Sequence, residues 1–309
     1  MALTTFSPMA ARHFLSLMDL KPDEIRSIVS RAIEMKKELE DGVTMDLLRH
    51  RTVAMVFEKS STRTRVSFET GVTHLGGNAI FLAPSDSHLG RGEPIEDTAR
   101  VLSRMASLII MRTGSHNRVE KMAQFASIPV INGLSDFNHP CQQLADLQTW
   151  FEHRGEIEGS KVAWVGDGNN VCHSWMNAAR LLEFQLVVAT PPGYEPDQGL
   201  TRACQEFVML TNNPAEAASG ADLIVTDTWA SMGQEQEKKQ REANFAGFRV
   251  DAKLMSRASS KALFMHCLPA YRGVEVDAEI IDGPQSVVWD EAENRLHAQK
   301  ALMEFLLTN

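Results

Sequence analysis

Short apolar runs alternate with stretches of helical periodicity along the chain, and that rhythm predicts the fold. In the first half the apolar runs are "RTVAMVF" (Arg51–Phe57), "NAIFL" (Asn78–Leu82), "SLIIMR" (Ser107–Arg112) and "IPVIN" (Ile128–Asn132). Helical patterns separate them near Thr62–Leu75, Pro94–Met105 and Asn117–Ala126. Gly76–Gly77 is a natural helix stop. Pro94 suits a first helical turn, with Glu93, Glu96 and Asp97 placed favourably for its dipole. A β-α-β-α-β-α-β order implies a parallel sheet covered by helices on both faces.

The second half follows the same rhythm. "KVAWVGD" (Lys161–Asp167), "FQLVVAT" (Phe184–Thr190), "DLIVTDTW" (Asp222–Trp229), "ALFMHCL" (Ala262–Leu268) and "SVVWD" (Ser286–Asp290) read as buried strands. A long helix, Pro140–Gly155, is the expected joint between the halves. The final segment places Leu296, Ala298, Ala301, Leu302, Phe305 and Leu306 on one helical face and is expected to cross back to the first half. The charge-rich stretch "SMGQEQEKKQREANFAGFRV" reads for most of its length as a solvated surface element. The fold class is therefore α/β, with two parallel-sheet domains, each covered by helices on both faces. The expected division is 1–147 joined by 292–309 for the first domain, and 148–291 for the second.

Bulk properties narrow the function. The 309 residues exceed what one hydrophobic core usually supports. A formal net charge of −9 argues against nucleic acid as a partner. No stretch approaches 18 apolar residues, so no membrane span is expected, and the N-terminal segment lacks the basic and apolar regions of a signal peptide. Cys141, Cys172, Cys204 and Cys267 form no CxxC pair and no zinc spacing. Reduced thiols in a cytoplasmic protein are the plain reading.

Ligands of parallel α/β sheets bind outside the carboxyl ends of the strands. At those ends the first half places "KSSTRTR", Arg112, His139 and Gln142; the second half places Asp167, Asn169, Asn170, Asp227, Ser231, Met232, His266 and Cys267. One side supplies cations and donors, the other acids, amides and a thiol, which suits an anionic substrate facing a cationic one. Ser61, Thr62 and Arg63 open a helix directly after a strand. Unpaired N–H groups, hydroxyls and a planar guanidinium there make a phosphate cradle without a glycine-rich loop. The competing reading is a helix cap with surface arginines, and Arg65 reads as structural. No GxxxxGK[ST] motif occurs, and "VGDGNN" lacks the third glycine of a dinucleotide turn.

Taken together, "STRTR" (Ser61–Arg65), "HPCQ" (His139–Gln142) and "HCLP" (His266–Pro269) resemble the aspartate/ornithine carbamoyltransferase family over essentially the whole chain. "DTWASMG" (Asp227–Gly233) and "FMHCLPAYRGVEV" (Phe264–Val276) resemble its ornithine-specific branch; the aspartate enzymes usually read HPTQ where this chain reads HPCQ. The resemblance implies transfer of a carbamoyl group from carbamoyl phosphate to the side-chain amine of L-ornithine, giving citrulline and phosphate, with a lean towards arginine biosynthesis. It implies two α/β domains with the active site in the cleft between them, homotrimers or multiples of trimers, sites at subunit interfaces, and no metal or organic cofactor.

By the same resemblance, Ser61, Thr62, Arg63 and Thr64 hold the phosphate. Arg112, His139 and Thr64 face the carbonyl oxygen. Gln142 and the backbone at Cys267–Leu268 bind the carbamoyl NH2, and Arg295 completes that shell. Asn170, Asp227, Ser231 and Met232 hold ornithine, with Asp227 and Cys267 beside its reacting amine. Arg112, His139, Asp227 and Cys267 are the expected catalytic set. His88 stands where many relatives carry glutamine, in a loop that in the family reaches the neighbouring subunit's phosphate site. Alternatives are a sister enzyme acting on putrescine or an N-acylornithine, and a non-catalytic phosphate-binding module on the same fold.

Overall fold

The computed structural model describes residues 11–85, 92–230 and 238–308. A 3-10 turn at Leu17–Asp19 precedes α1 (Pro22–Glu40). Strands and helices then alternate: β1 (Thr52–Phe57), α2 (Thr62–His74), β2 (Asn78–Leu82), α3 (Ile95–Met105), β3 (Leu108–Arg112), α4 (His116–Phe125) and β4 (Val130–Leu134). After α5 (Pro140–Arg154) come β5 (Lys161–Val165), α6 (Asn170–Leu182), β6 (Gln185–Ala189), α7 (Gln198–Ala203), β7 (Val208–Thr211), α8 (Pro214–Ala218) and β8 (Leu223–Thr226). The last elements are α9 (Lys238–Asn244), α10 (Ala252–Met255), β9 (Leu263–His266), α11 (Ala278–Ile281) and α12 (Val288–Thr308).

The strands form two sheets, ordered β2-β1-β3-β4 and β7-β6-β5-β8-β9. Every pairing between named strands is parallel, so the expectation of two parallel-sheet domains holds. The period-2 alternation of a strand sends neighbours to opposite faces. Val53, Met55 and Phe57 of β1 enter one core with Phe68, Val72 and Leu144, whereas Ala54 and Val56 enter another with Ala99, Val119 and Met122. In β5, Val162 and Trp164 face the first of these cores, and Ala163 and Val165 face a third. One core thus runs from the inner face of one sheet to the inner face of the other. Trp164 and Trp175 are fully buried in it. Each such aromatic removes roughly 150–250 Å² from water, about 4–6 kcal/mol at ~25 cal/mol per Å².

Two elements depart from the sequence pattern in the second sheet. Ser286–Asp290 is not a strand: Ser286 makes an isolated bridge to Phe264, and Val288 begins α12. Val287 and Val288 are buried either way, and a short apolar run does not distinguish the two conformations. The fifth strand is instead β7, four residues at the sheet edge with Met209 and Leu210 exposed. The α1 helix was also not foreseen, although it carries Pro22 at its start, Asp23 and Glu24 in its first turn, and a buried face of Ile25, Ile28, Val29, Ala32 and Met35. Within the charge-rich stretch, α9 carries a buried arginine, Arg241. The rest of the fold serves the site through α12, which packs on α5, α1 and α2. No described helix is long and apolar enough to cross a membrane.

Candidate active site

Strand order fixes where the site lies. The order reverses between β1 and β3 in one sheet and between β5 and β8 in the other. Chain segments part at such points and leave a crevice at the carboxyl ends of the strands. Phe57 and Arg112 are register partners at that end of the first sheet, which brings the Lys59–Thr64 turn beside Arg112. In the second sheet the corresponding crevice is edged by Asp167–Asn170 and Asp227–Ala230. Both crevices open into a single cavity of about 1020 Å³.

The first wall is cationic. Ser61 caps α2: Thr64 N–H donates to its Oγ at 3.3 Å, and the Ser61 hydroxyl donates to Thr64 Oγ1 at 3.1 Å. Thr62 and Arg63 form the first helical turn, where backbone N–H groups lack intrahelical acceptors and the dipole favours an anion. Thr64 Oγ1 also accepts from Arg112 Nη1 and Arg295 Nη2. Burial, reinforced by Arg295 and Arg63, pushes Arg112 down to about 10, and burial also lowers Arg295. Arg112 Nε is buried with no hydrogen-bond partner among the described residues.

His139 is held at the start of α5 by Pro140 at N1 and by its own N–H, which donates to Ser174 Oγ at 2.9 Å. Burial holds the imidazole well below its usual range, with Arg295, Arg112 and Arg63 acting in the same direction. It is therefore neutral, and its Nδ1 is buried without a partner among the described residues.

The opposite wall is acidic and finely hydrogen-bonded. Asp227 Oδ2 accepts from Asn169 Nδ2 at 2.8 Å, and Oδ1 accepts from Thr228 N–H at 2.7 Å. Cys267 Sγ donates to the same Oδ1 at 3.1 Å. Burial, followed by the charge of Asp227, raises the Cys267 thiol well above its ordinary value, so it is a protonated donor. Leu268 has a left-handed backbone, φ 55°, and its N–H donates to His266 Nδ1 at 2.9 Å. His266 Nε2 lies 3.3 Å from Glu275 Oε1, both side chains fully buried. Asn170 Nδ2 donates to Ser135 O at 2.7 Å.

Candidate ligand atoms of Asp227, His266 and Cys267 lie within 4.8 Å of one another. Because His266 Nδ1 accepts the Leu268 amide and Nε2 faces Glu275, the trio is a hydrogen-bonded corner whose histidine is already engaged. The "VGDGNN" turn is closed in a similar way. Asn169 Oδ1 accepts from the Val171 and Cys172 amides at the start of α6, and a Cβ on Gly168 would stand 2.3 Å from Pro196 N.

Ser61, Thr62, Arg63, Thr64, Arg112, His139, Asn170, Asp227, Cys267, Leu268 and Arg295 all line the cavity. Gln142 does not: it is 1% exposed and stands behind Arg295, whose Nη1 donates to its Oε1 at 2.6 Å. His88, Ser231 and Met232 lie outside the described residues. Arg65 stays away from the cavity, paired with Glu69 and stacked on Phe81. Sequence reasoning missed Arg241, which lines the cavity, pairs with Asp167 and donates to Trp229 O. Its only trace is one arginine among many charges. Lys59 also lines the cavity, and its place directly before the serines was the available signal.

Fold and cleft together define a two-domain α/β protein with a cationic wall, suited to an anion, opposite an acid-and-thiol corner. Residues 12–152 match the carbamoyl-phosphate-binding domain of aspartate/ornithine carbamoyltransferases, and residues 158–306 match their aspartate/ornithine-binding domain. An ornithine carbamoyltransferase of Nitrosococcus oceani is 58% identical over 97% of this chain and 98% of its own length. The solved ornithine carbamoyltransferase of Burkholderia thailandensis is 50% identical, covers 96% of this chain and 98% of its own, and superposes with a TM-score of 0.90. That of Pyrococcus furiosus is also 50% identical, with coverages of 96% and 97% and a TM-score of 0.91. The chain belongs to the aspartate/ornithine carbamoyltransferase family.

Proposed function

We infer that this chain transfers the carbamoyl group of carbamoyl phosphate to the side-chain amine of L-ornithine, forming citrulline and phosphate. The observation that carries the reading is the single cavity with the α2 N-terminus, Arg63, Arg112 and His139 on one wall and Asp227 with Cys267 on the other. Ser61, Thr62, Arg63 and Thr64 take the phosphate. Arg112, His139 and Thr64 face the carbonyl oxygen, where charge grows as the tetrahedral intermediate forms; donors placed in advance are typically the largest catalytic term. Ornithine sits against Asn170, Asp227, Ser231 and Met232. Its ammonium gives up a proton near Asp227 and Cys267, the free amine attacks the carbonyl carbon, and the C–O bond to phosphate breaks as the nitrogen loses its second proton. Arg295, with Gln142 and the Cys267–Leu268 backbone, steadies the carbamoyl NH2. The reading requires no metal or organic cofactor. Residues 1–147 with 292–309 form the carbamoyl-phosphate domain and 148–291 the ornithine domain.

The test is a parallel assay of carbamoylated product from ornithine, putrescine, N-acetylornithine and aspartate. Preference for any amine other than ornithine overturns the specificity, and no phosphate release with any of them overturns the enzymatic reading.

The proposed context is arginine biosynthesis in the cytoplasm, by a homotrimer or a multiple of trimers with the His88 loop serving the adjacent subunit. An Arg63→Ala chain and a chain with residues 85–89 replaced by a Gly/Ser linker should then rescue each other after mixed refolding. Roughly a quarter of interface sites regain both intact halves, since a cyclic assembly repeats one heterologous interface. Mixed oligomers without recovered activity contradict the shared site.

A further inference from the structure

Behind the cationic wall runs a buried polar chain whose two carboxyl groups, Asp146 and Glu291, the proposed chemistry leaves unused. Gln142 and Asp146 stand one turn apart on α5, and Glu291 enters from α12. Gln142 Nε2 donates to Asp146 Oδ1 at 2.8 Å and to Glu291 Oε1 at 3.0 Å. Gln142 Oε1 accepts from Arg295, whose other terminal nitrogen reaches Thr64. The second oxygen of Glu291, Oε2, accepts the backbone N–H of His266 at 2.9 Å. Asp146 and Glu291 are each 1% exposed.

Two carboxyl groups flanking one amide nitrogen in a dry interior cannot both be charged cheaply. Burial raises both, and for Glu291 the neighbouring Asp146 charge acts in the same direction. The ionisable groups that interact with the pair are Arg295 on α12 and Cys267 after β9.

We propose that Glu291 is a positioning residue that ties the two substrate corners together. One of its carboxyl oxygens holds Gln142, and through it Arg295 and Thr64; the other holds the His266 amide, and so the start of the Cys267–Leu268 turn. The inference rests on the functional reading above, in which carbamoyl phosphate occupies the first corner and the amino acid the second. A ligand that orders Arg295 then orders the turn facing the second ligand, and linkage makes the effect reciprocal. The chemistry of the tie is specific. Glu291 accepts at both oxygens; a glutamine presents an NH2 at one of them and must set a donor against a donor. Asp146→Asn behaves differently, because its Oδ1 can still accept from Gln142 and both Glu291 contacts are left in place.

The readout is the ratio of norvaline affinities with and without saturating carbamoyl phosphate, measured by calorimetry. Norvaline carries the ornithine side chain without its reacting amine, so no turnover occurs. In the wild-type chain carbamoyl phosphate should tighten norvaline about tenfold or more, within the usual range of a coupling. In Glu291→Gln the ratio should fall to about two or less, a change that loss of stability alone does not produce. Asp146→Asn should keep most of the ratio. If Glu291→Gln does not fold, Glu291→Asp, too short to span both partners, should lose the ratio in its place. An unchanged ratio in the Glu291 variants overturns the tie, and equal loss in Asp146→Asn overturns its assignment to Glu291. Failure of the wild-type chain to carbamoylate ornithine would instead strike the functional reading.

Discussion

Arg112 and Arg295 converge on one atom, both donating to Thr64 Oγ1, at 3.3 and 3.4 Å. Both are nearly fully buried, and among the described residues neither forms an ion pair with a carboxylate. Two desolvated cations sharing an acceptor are costly until an anion arrives, which is why burial pulls Arg112 down to about 10. The wall is thus poised for a phosphate dianion.

Inorganic phosphate should therefore raise the melting temperature of the unliganded protein, by the mass-action stabilisation that about 2.7 kcal/mol at a hundredfold excess over Kd represents. Arg63→Ala should weaken carbamoyl phosphate at least tenfold, since hydrogen bonds to charged groups contribute about 1.5–3 kcal/mol. Calorimetry showing equal affinity for the two proteins would remove the cradle at α2.

His139→Ala should lower kcat far more than it weakens ground-state binding, because the charge it faces grows in the transition state. With its pKa held well below the usual range, the imidazole is already neutral at pH 6. Wild-type kcat/KM, which reports the free enzyme, should consequently show no titration of His139 between about pH 6 and 8. A pure KM effect in the variant contradicts the role.

Cys267→Ser should keep the fold and alter the ornithine step. The thiol is protonated and donates to Asp227, so it is a poor nucleophile. Kinetics should be sequential, with carbamoyl phosphate binding first. A carbamoylated cysteine trapped by mass spectrometry, together with ping-pong patterns, would reverse this assignment.

Burial raises Asp167 from 3.8 to about 6, although the Arg241 guanidinium pulls it down. A carboxyl whose folded pKa is raised binds its proton more tightly in the folded state. Its contribution to stability is present below about pH 4 and is lost as pH rises to about 6, amounting to about 2–3 kcal/mol over that window. Urea unfolding of the unliganded protein should show that decline, and Asp167→Asn, which cannot titrate, should show a correspondingly flatter profile. Equal slopes for the two proteins between pH 4 and 7 count against the shift.

Much of this was legible in the chain. Strands such as β1 and β3, buried on both faces, read as continuous apolar runs, and the residues at their carboxyl ends follow from topology alone. Edge strand β7 was not legible, because half of its four residues are exposed and its pairing is set by β6. Val287–Val288 misled for the converse reason: burial is shared by both conformations. Arg241 hid among surface charges, since its partner Asp167 lies 74 positions away. Gln142 was recognised by its motif, but its place behind Arg295 depends on α12, which local pattern does not position. Glu291 and Asp146 gave no signal at all, because an acid on a helix is ordinarily a solvated one.

The return of α12 to the first sheet has a consequence for biogenesis. Domains tend to fold as units, N-terminal first, while the ribosome is still at work. Here α1, α2 and α5 bury their faces against α12, and Arg295 and Glu291 come with it. A nascent chain that has completed β4 and α5 holds the α2 N-terminus and Arg112 but lacks both the second buried guanidinium and the cover over its apolar flank. The first half must wait, sticky and half-charged, for the second half to be translated, so chaperone demand should peak in that interval and synonymous changes that slow translation between α5 and α12 should lower yield without altering a single contact of the finished protein.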